Sequence, residues 1–247
     1  MKVSDPILKS AACFLLFLFT YSPNAALSAV PITSSSTISS HKINGYIGWR
    51  SDYVYRGVTL SQNQPSIQAS LQYNHVSGAF INGWVSQTKV KQARGPEGES
   101  NLSLGYKLNI DIDWSSYCMA THYSFIGGKL GFDSEFYEYV CGVNYQDRIQ
   151  FNIAYSDNSY GLNFHSTLYE VRHTYPLTPT LSYSTHIGHW DISDFVGSAY
   201  DFIHTGLQHT YHQFNSYIFY HWASSVATDT YGDDANPGWL AAFSYHF

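Results

Sequence analysis

From residue 43 to residue 247 the chain is a succession of stretches in which apolar and polar positions alternate. The clearest is LSLGYKLNIDI, where Leu102, Leu104, Tyr106, Leu108, Ile110 and Ile112 fall on one side and Ser103, Gly105, Lys107, Asn109 and Asp111 on the other. Side chains alternate with period two along a strand, so such a stretch is greasy on one face and wet on the other. Twelve stretches of this kind lie near 43–55, 66–76, 79–89, 100–112, 115–125, 135–145, 148–156, 166–175, 180–188, 199–211, 215–224 and 238–247.

The connections between them take turns in length. VSGA, DIDW, YQDR, PLTPT and YHQFN are tight, whereas RGVTLSQNQP, VKQARGPEGES, FIGGKLGFDS, SDNSYGLNF, HWDISDFVGS and ATDTYGDDANPG are long and polar. Sandwiches mix loop lengths without such regularity. Short turns at one end, long loops at the other and strands polar on one face describe a transmembrane antiparallel up-and-down β-barrel. The pattern predicts an all-β barrel of about twelve strands over 43–247; mixed face assignments over 115–145 and 199–224 leave ten or fourteen open.

A sheet in lipid cannot leave an edge unpaired, because its N–H and C=O groups find no water there. The stretch GWLAAFSYHF is therefore expected to pair with the first strand, its aromatic face on lipid. Alternating aromatics up to Phe247, with Phe243 and Tyr245 before it, resemble the signal read by the outer-membrane barrel assembly machinery.

Composition sharpens this picture. Charged residues are only 12% of the chain and aromatics 17%, with 22 Tyr; an ordinary soluble protein carries about 25% charged residues. Trp49, Tyr53, Tyr55, Trp84, Trp114, Tyr117, Trp190, Trp222 and Trp239 are expected near strand ends or on lipid faces, as in an aromatic girdle. The net charge of −6, with no Lys/Arg cluster, excludes nucleic acid as a partner. Lys2 and Lys9 precede or flank the apolar run AACFLLFLFTY, and the small residues NAALSA follow. That run is too short to span a bilayer and reads as a signal peptide over 1–29, followed by a lead-in over 30–42. The expected location is the bacterial outer membrane, reached through the periplasm.

Two cysteines follow the signal segment, Cys118 and Cys141. They are symmetric about GGKLG, and a hairpin turning there would set them opposite each other, as an oxidising compartment permits. The apolar faces of the two strands disagree about which side each occupies, so bridge and free thiols both stay open.

Strand parity supplies candidate lumen residues: Arg50, Asp52 and Arg56 with Asn44 on the first strand, then Lys107 and Asp111, Glu138, Glu170 and Arg172. Facing acids and bases across a pore act as a filter, although the same charges would face inward in a filled lumen, since charge on the lipid face costs about 2–4 kcal/mol at the midplane. Other chemistry is poorly supplied. The histidines of HIGH (186–189) and HTYH (209–212) are spaced i, i+3, which on a strand sends the rings to opposite faces, unlike a zinc pair. His165 and Ser166 are adjacent and diverge for the same reason, and Asp229, Asp233 and Asp234 lack calcium-loop spacing. No metal, cofactor or enzymatic activity is expected.

SDYVYRGVTLSQNQPSIQASLQY (51–73) resembles the N-terminal signature of the TorF-type porin family of proteobacterial outer-membrane proteins, in Ser51-Asp52-Tyr53, Arg56-Gly57, Ser61, Pro65, Gln68 and Tyr73. GAFINGWVSQ, NLSLGYKLNI, YEVRHTYPLTPTLSYSTHIGHWD and SAYDF sit in similar order further on. The resemblance implies a barrel in the outer membrane and carries no activity. The function expected is a porin-like channel for passive diffusion of small hydrophilic solutes or ions, with outer-membrane lipids as its surroundings. The alternatives are a plugged barrel with a binding or structural role and, third, a lipid-modifying enzyme.

Overall fold

A computed structural model describes residues 41–89, 96–127 and 135–247 of the chain. The segment expected to be a signal peptide and almost all of the lead-in lie outside the described residues. Twelve antiparallel strands close into a barrel. In chain order the wall is β1 (His41–Arg50), β4 (Ser66–His75), β5 (Ala79–Gln87), β6 (Gly98–Asn109), β7 (Trp114–Ile126), β8 (Phe136–Tyr145), β9 (Ile149–Ser156), β10 (Ser166–Pro176), β11 (Leu181–Asp191), β12 (Ala199–Tyr211), β13 (Phe214–Ala223) and β14 (Gly238–His246). A two-stranded ribbon, β2 (Val54–Tyr55) and β3 (Val58–Thr59), belongs to the connection between β1 and β4 and not to the wall.

Each wall strand pairs with its chain neighbour, and β14 pairs with β1 in the register Tyr46 to His246 and Arg50 to Ala242. The Gly45 N–H donates to the Phe247 carbonyl at 2.9 Å and the Phe247 N–H donates back at 3.0 Å. Closure satisfies the backbone of both end strands, as the alternating GWLAAFSYHF stretch required. The strands begin and end within a few residues of the positions expected from the alternation, with one exception. The first stretch, expected to run to residue 55, leaves the wall after Arg50, where the Ser51 N–H bonds the Ala241 carbonyl.

The outward face is a continuous apolar surface that includes Ile43, Leu71, Leu104, Val143, Phe151, Val171, Ile187, Ile218 and Phe243, all exposed. Trp49, Trp114, Trp222 and Trp239 also face outward near strand ends. Trp84, Trp190, Tyr53 and Tyr55 do not: they are buried inside the barrel, which corrects their expected place in an aromatic girdle. Trp84 donates its indole N–H to the Tyr46 hydroxyl at 2.9 Å within the lumen.

Cys118 and Cys141 are directly opposite on β7 and β8, both outward, with Cα atoms 4.1 Å apart and their sulfurs bonded. The conflict of faces in the sequence has a physical origin. On β7 the residues that point inward, Tyr117, Met119, Tyr123 and Phe125, are the more apolar set, because they pack on the contents of the lumen.

Candidate functional site

A barrel of twelve strands is wider than inward side chains alone can fill. Here the connection between β1 and β4 enters the lumen from the long-loop end. Tyr53, Val54, Tyr55, Arg56, Val58 and Leu60 are all buried there. Local chemistry shapes the ribbon. Tyr55 pairs with Val58, leaving Arg56 and Gly57 as a two-residue turn with φ of 47° and 83°. Positive φ at both positions is the hairpin turn whose twist matches the flanking strands. Gly57 is required twice over: a Cβ there would lie 2.7 Å from the Ala223 Cβ on β13. The hairpin base is tied by Asp52, which accepts hydrogen bonds from the hydroxyls of Thr59 and Ser61, and by the Tyr53 N–H donating to Ser61 Oγ at 2.9 Å. The Lys89 N–H holds the far arm through the Leu60 carbonyl at 3.0 Å.

Arg56 sits at the tip, 2% exposed, and its guanidinium donates to Glu138 on β8 at 2.9 Å. Glu138 is 1% exposed and also accepts from the Tyr123 hydroxyl at 3.3 Å. The guanidinium carbon lies 4.5 Å from the Tyr55 ring centre and 4.7 Å from that of Trp190 on β11. Planar stacking and a charged partner are the two interactions an arginine makes better than a lysine. Aromatic side chains fill the space around this pair: Tyr123 stacks on Phe136 at 4.5 Å, and Tyr200 meets Trp190 edge-on at 5.4 Å. The loops close over the top. A short helix, α1 (Ser193–Val196), brings Phe195 onto Phe164 at 4.8 Å, and a second, α2 (Ser225–Tyr231), sets Tyr231 edge-on to Tyr200 at 5.6 Å. The long-loop half of the barrel thus has an apolar core that holds the Arg56–Glu138 ion pair.

The other half of the lumen is polar. Asn44, Gln72 and Asn74 form a side-chain chain near the short turns, and Tyr117, Gln150 and Asn152 form another. Glu170 on β10 bonds His186 on β11 at 3.0 Å. His186, His204 and His221 stand side by side on β11, β12 and β13, with ring centres 5.7 Å and 6.2 Å apart. Arg50 lines a small cavity with Tyr46, Gln68, Tyr217, Ser244 and His246, about 20 Å³ in volume, which is room for a water molecule.

The expected lumen residues therefore divide into three groups. Arg56, Glu138 and Asp52 are inside but fully packed, so none of them presents charge to a solute. Arg50, Lys107, Glu170 and Arg172 point inward from wall strands. Asp111 is not on the lumen wall: it is exposed in the turn between β6 and β7, where its carboxylate accepts from the N–H groups of Asp113 and Trp114, both at 2.8 Å. The strand that would have carried it inward ends at Asn109, because the Asx turn takes over the backbone. Phe243 and Tyr245 face outward on β14 and Phe247 is exposed beside them. His165 is outward, bonded to the Tyr155 hydroxyl at 2.9 Å, while Ser166 is inward on Ser159 at 2.6 Å, so the two diverge. Asp234 is buried whereas Asp229 and Asp233 are exposed, and among the described residues no group of acids or histidines converges on a cation.

Residues 34–233 match the family described as "Bacterial protein of unknown function (Gcw_chp)". The chain belongs to this family. No curated protein matches it significantly in sequence. Among solved structures it is similar to the NanC porin, at 10% identity and a TM-score of 0.53, over 83% of this chain and 99% of that one. It is also similar to the KdgM porin, at 7% identity and a TM-score of 0.51, again over 83% and 99%. Identities this low show the fold alone: the Gcw_chp chain is a closed twelve-stranded β-barrel of the outer-membrane porin type. The family match spans the inward hairpin, both closing helices and all wall strands except β14.

Proposed function

We propose that the protein is a constricted porin-like channel of the bacterial outer membrane for small hydrophilic solutes or ions, exported through the periplasm and inserted by the barrel assembly machinery. The exposed apolar belt supports the membrane, since no soluble surface carries so continuous an apolar face. The observation that carries the channel reading is the division of the lumen: the hairpin fills the β7–β12 side and meets β13 at Ala223, while Arg50 stands beside a small cavity lined from β1, β4, β13 and β14. Any solute path runs along that second side, and Arg50 is its charged residue. The likeness of residues 51–73 to TorF-type porins supports the outer-membrane location only.

The test is conductance of the refolded protein in a planar bilayer under a salt gradient. Discrete steps are expected, and Arg50→Ala should move the reversal potential toward cation preference, because the removed charge repels cations in a narrow, low-dielectric passage. Conduction with a reversal potential unchanged in that variant overturns the route. A folded barrel that never conducts favours the second reading, a plugged barrel with a binding or structural role, for which the buried Arg56–Glu138 pair and its aromatic surroundings speak directly.

A further inference from the structure

The polarity of β7 does not say which way the strand faces. Its inward set, Tyr117, Met119, Tyr123 and Phe125, is more apolar than its outward set, Ser116, Ala120, His122 and Ser124, and the strand contains no Asp, Glu, Lys or Arg. Its neighbours are pinned by charge, which the lipid face does not tolerate: β6 carries Glu99 and Lys107 inward and β8 carries Glu138. A slip of one residue exchanges the two faces of a strand. On β7 that exchange would send Tyr117, Met119, Tyr123 and Phe125 to lipid, which hydrophobicity alone does not oppose. Packing opposes it, but late. Gly105 on β6 and Gly142 on β8 leave the room that Met119 and Tyr117 occupy: an added Cβ would lie 2.7 Å from the Met119 Cβ and 2.6 Å from the Tyr117 ring. Those contacts, and the ones to the hairpin, exist only once the lumen is filled.

The Cys118–Cys141 bond distinguishes the two registers. The residues are opposite each other, and both side chains are outward and exposed. After a one-residue slip Cys118 would point into the lumen while Cys141 stayed on lipid, and the sulfurs could not meet. The bond is also placed where it cannot be made late. Leu104, Tyr106, Val143 and Ile153 surround it on the lipid face. Thiol–disulfide exchange runs through a thiolate, and hydrocarbon admits neither that anion nor a water-borne oxidant. We propose that this disulfide is a register lock: formed between β7 and β8 before insertion, it fixes the face of the strand whose sequence leaves it open. The chemistry is exchange with a disulfide oxidant of the periplasm. One thiolate attacks the oxidant and displaces one of its sulfurs, the second cysteine displaces the other, and the oxidant leaves as two thiols carrying the two hydrogens. The inference rests on the periplasmic route of the preceding reading and is independent of whether the lumen conducts.

Met119 reports the register, because it is the only methionine besides Met1 and packs on the contents of the lumen. The full barrel chain, reduced, unfolded in urea and labelled with carbon-13 at the methionine methyl, is refolded into lipid bicelles. Oxidised glutathione is added either before the lipid or after it. Oxidant first should give one Met119 signal that spin-labelled lipid leaves sharp. Oxidant last should leave free thiols, with a second Met119 signal that spin-labelled lipid broadens or with native barrel lost. Cys118→Ala with Cys141→Ala should match the second result whatever the order. The same single signal in both orders overturns the proposal, and so does a bond that forms as fully after insertion as before. If the cysteine variant does not fold, the order of addition on the wild-type chain still decides. Barrel isolated from cells with both thiols free overturns the periplasmic step. A native register reached without the bond sinks the lock and leaves the channel; a locked barrel that never conducts sinks the channel and leaves the lock.

Discussion

Replacing Glu138 by Ala isolates the force that holds the hairpin. The wild-type pair is fully buried, with the guanidinium and the carboxylate 2.9 Å apart. Removing one member of a buried pair leaves an uncompensated charge and costs about 3–5 kcal/mol. The wall loses nothing comparable, because its closure rests on backbone ladders between twelve strands. The cost therefore falls on docking of the hairpin, and at about 1.4 kcal/mol per decade it raises the undocked population roughly a hundred- to several-thousandfold. Chymotrypsin reads this directly: Tyr53 and Tyr55 are buried in the lumen and become cleavable only when the ribbon leaves it. Cleavage slower than reclosing tracks the open population, so the cleavage rate should rise by the same factor while the barrel keeps its heat-modifiable migration. The double variant Arg56→Met with Glu138→Met replaces the ions by apolar chains of similar length and should recover most of the protection, since such swaps are neutral or stabilising. A Glu138→Ala barrel as resistant as wild type would refute the idea that this pair locks the hairpin. Protection lost equally in the double variant would place the lock in shape and not in charge.

The other predictions concern the wall. Leu104 is outward in the middle of β6, so Leu104→Arg should destabilise the folded barrel by about 2–4 kcal/mol in lipid, measured by urea-driven unfolding from vesicles. A Cβ at position 188 would sit 2.1 Å from the Phe202 ring; Gly188→Ala should lower the unfolding temperature and loosen the aromatic core, seen as lost near-ultraviolet circular dichroism. Phe247→Ser should slow insertion while leaving export intact, checked by fractionation and heat-modifiability, and normal insertion kinetics would remove the assembly role of the β14 aromatics.

Where one face meets lipid, the pattern was readable: the inward residues of β6 are small or polar, and so are those of β14 apart from Leu240. Where the inward face meets the hairpin it is apolar, so the alternation fades where the outward face is apolar too and reverses where the outward face is polar. On β12, inward Tyr200 and Phe202 alternate with outward Ile203 and Leu207; on β7, inward Tyr123 alternates with outward His122 and Ser124. The ambiguity over 115–145 and 199–224 was the imprint of the plug on the wall. The candidate site was legible only in part for the same reason. Glu138, Glu170 and Arg172 point inward as parity gave, whereas Arg56 reaches the lumen on the hairpin and not by the strand parity that named it; the row of His186, His204 and His221 depends on cross-strand register, which no single strand contains. Asp111 went astray because a side chain that caps a turn mimics a strand residue in period-two counting.

That imprint bears on how the lumen works. An inward loop held by polar contacts alone would leave its barrel strands polar inside, and the chain would read as an open porin. Here the wall opposite the hairpin has exchanged polar residues for Phe136, Val140, Ala154, Leu168, Tyr200 and Phe202. Those side chains gain free energy only while the hairpin covers them, at roughly 25 cal/mol per Å² of apolar surface removed from water. A hairpin that left the lumen during each passage would expose them to water every time. The wall is thus built for a permanent insert, and under the proposed channel reading the polar residues on the remaining side, Arg50, Gln68, Ser244 and His246, are those left to line a path. Selectivity should accordingly follow substitutions at Arg50 and be indifferent to Arg56, the reverse of what Arg56 as a pore-lining filter residue would give.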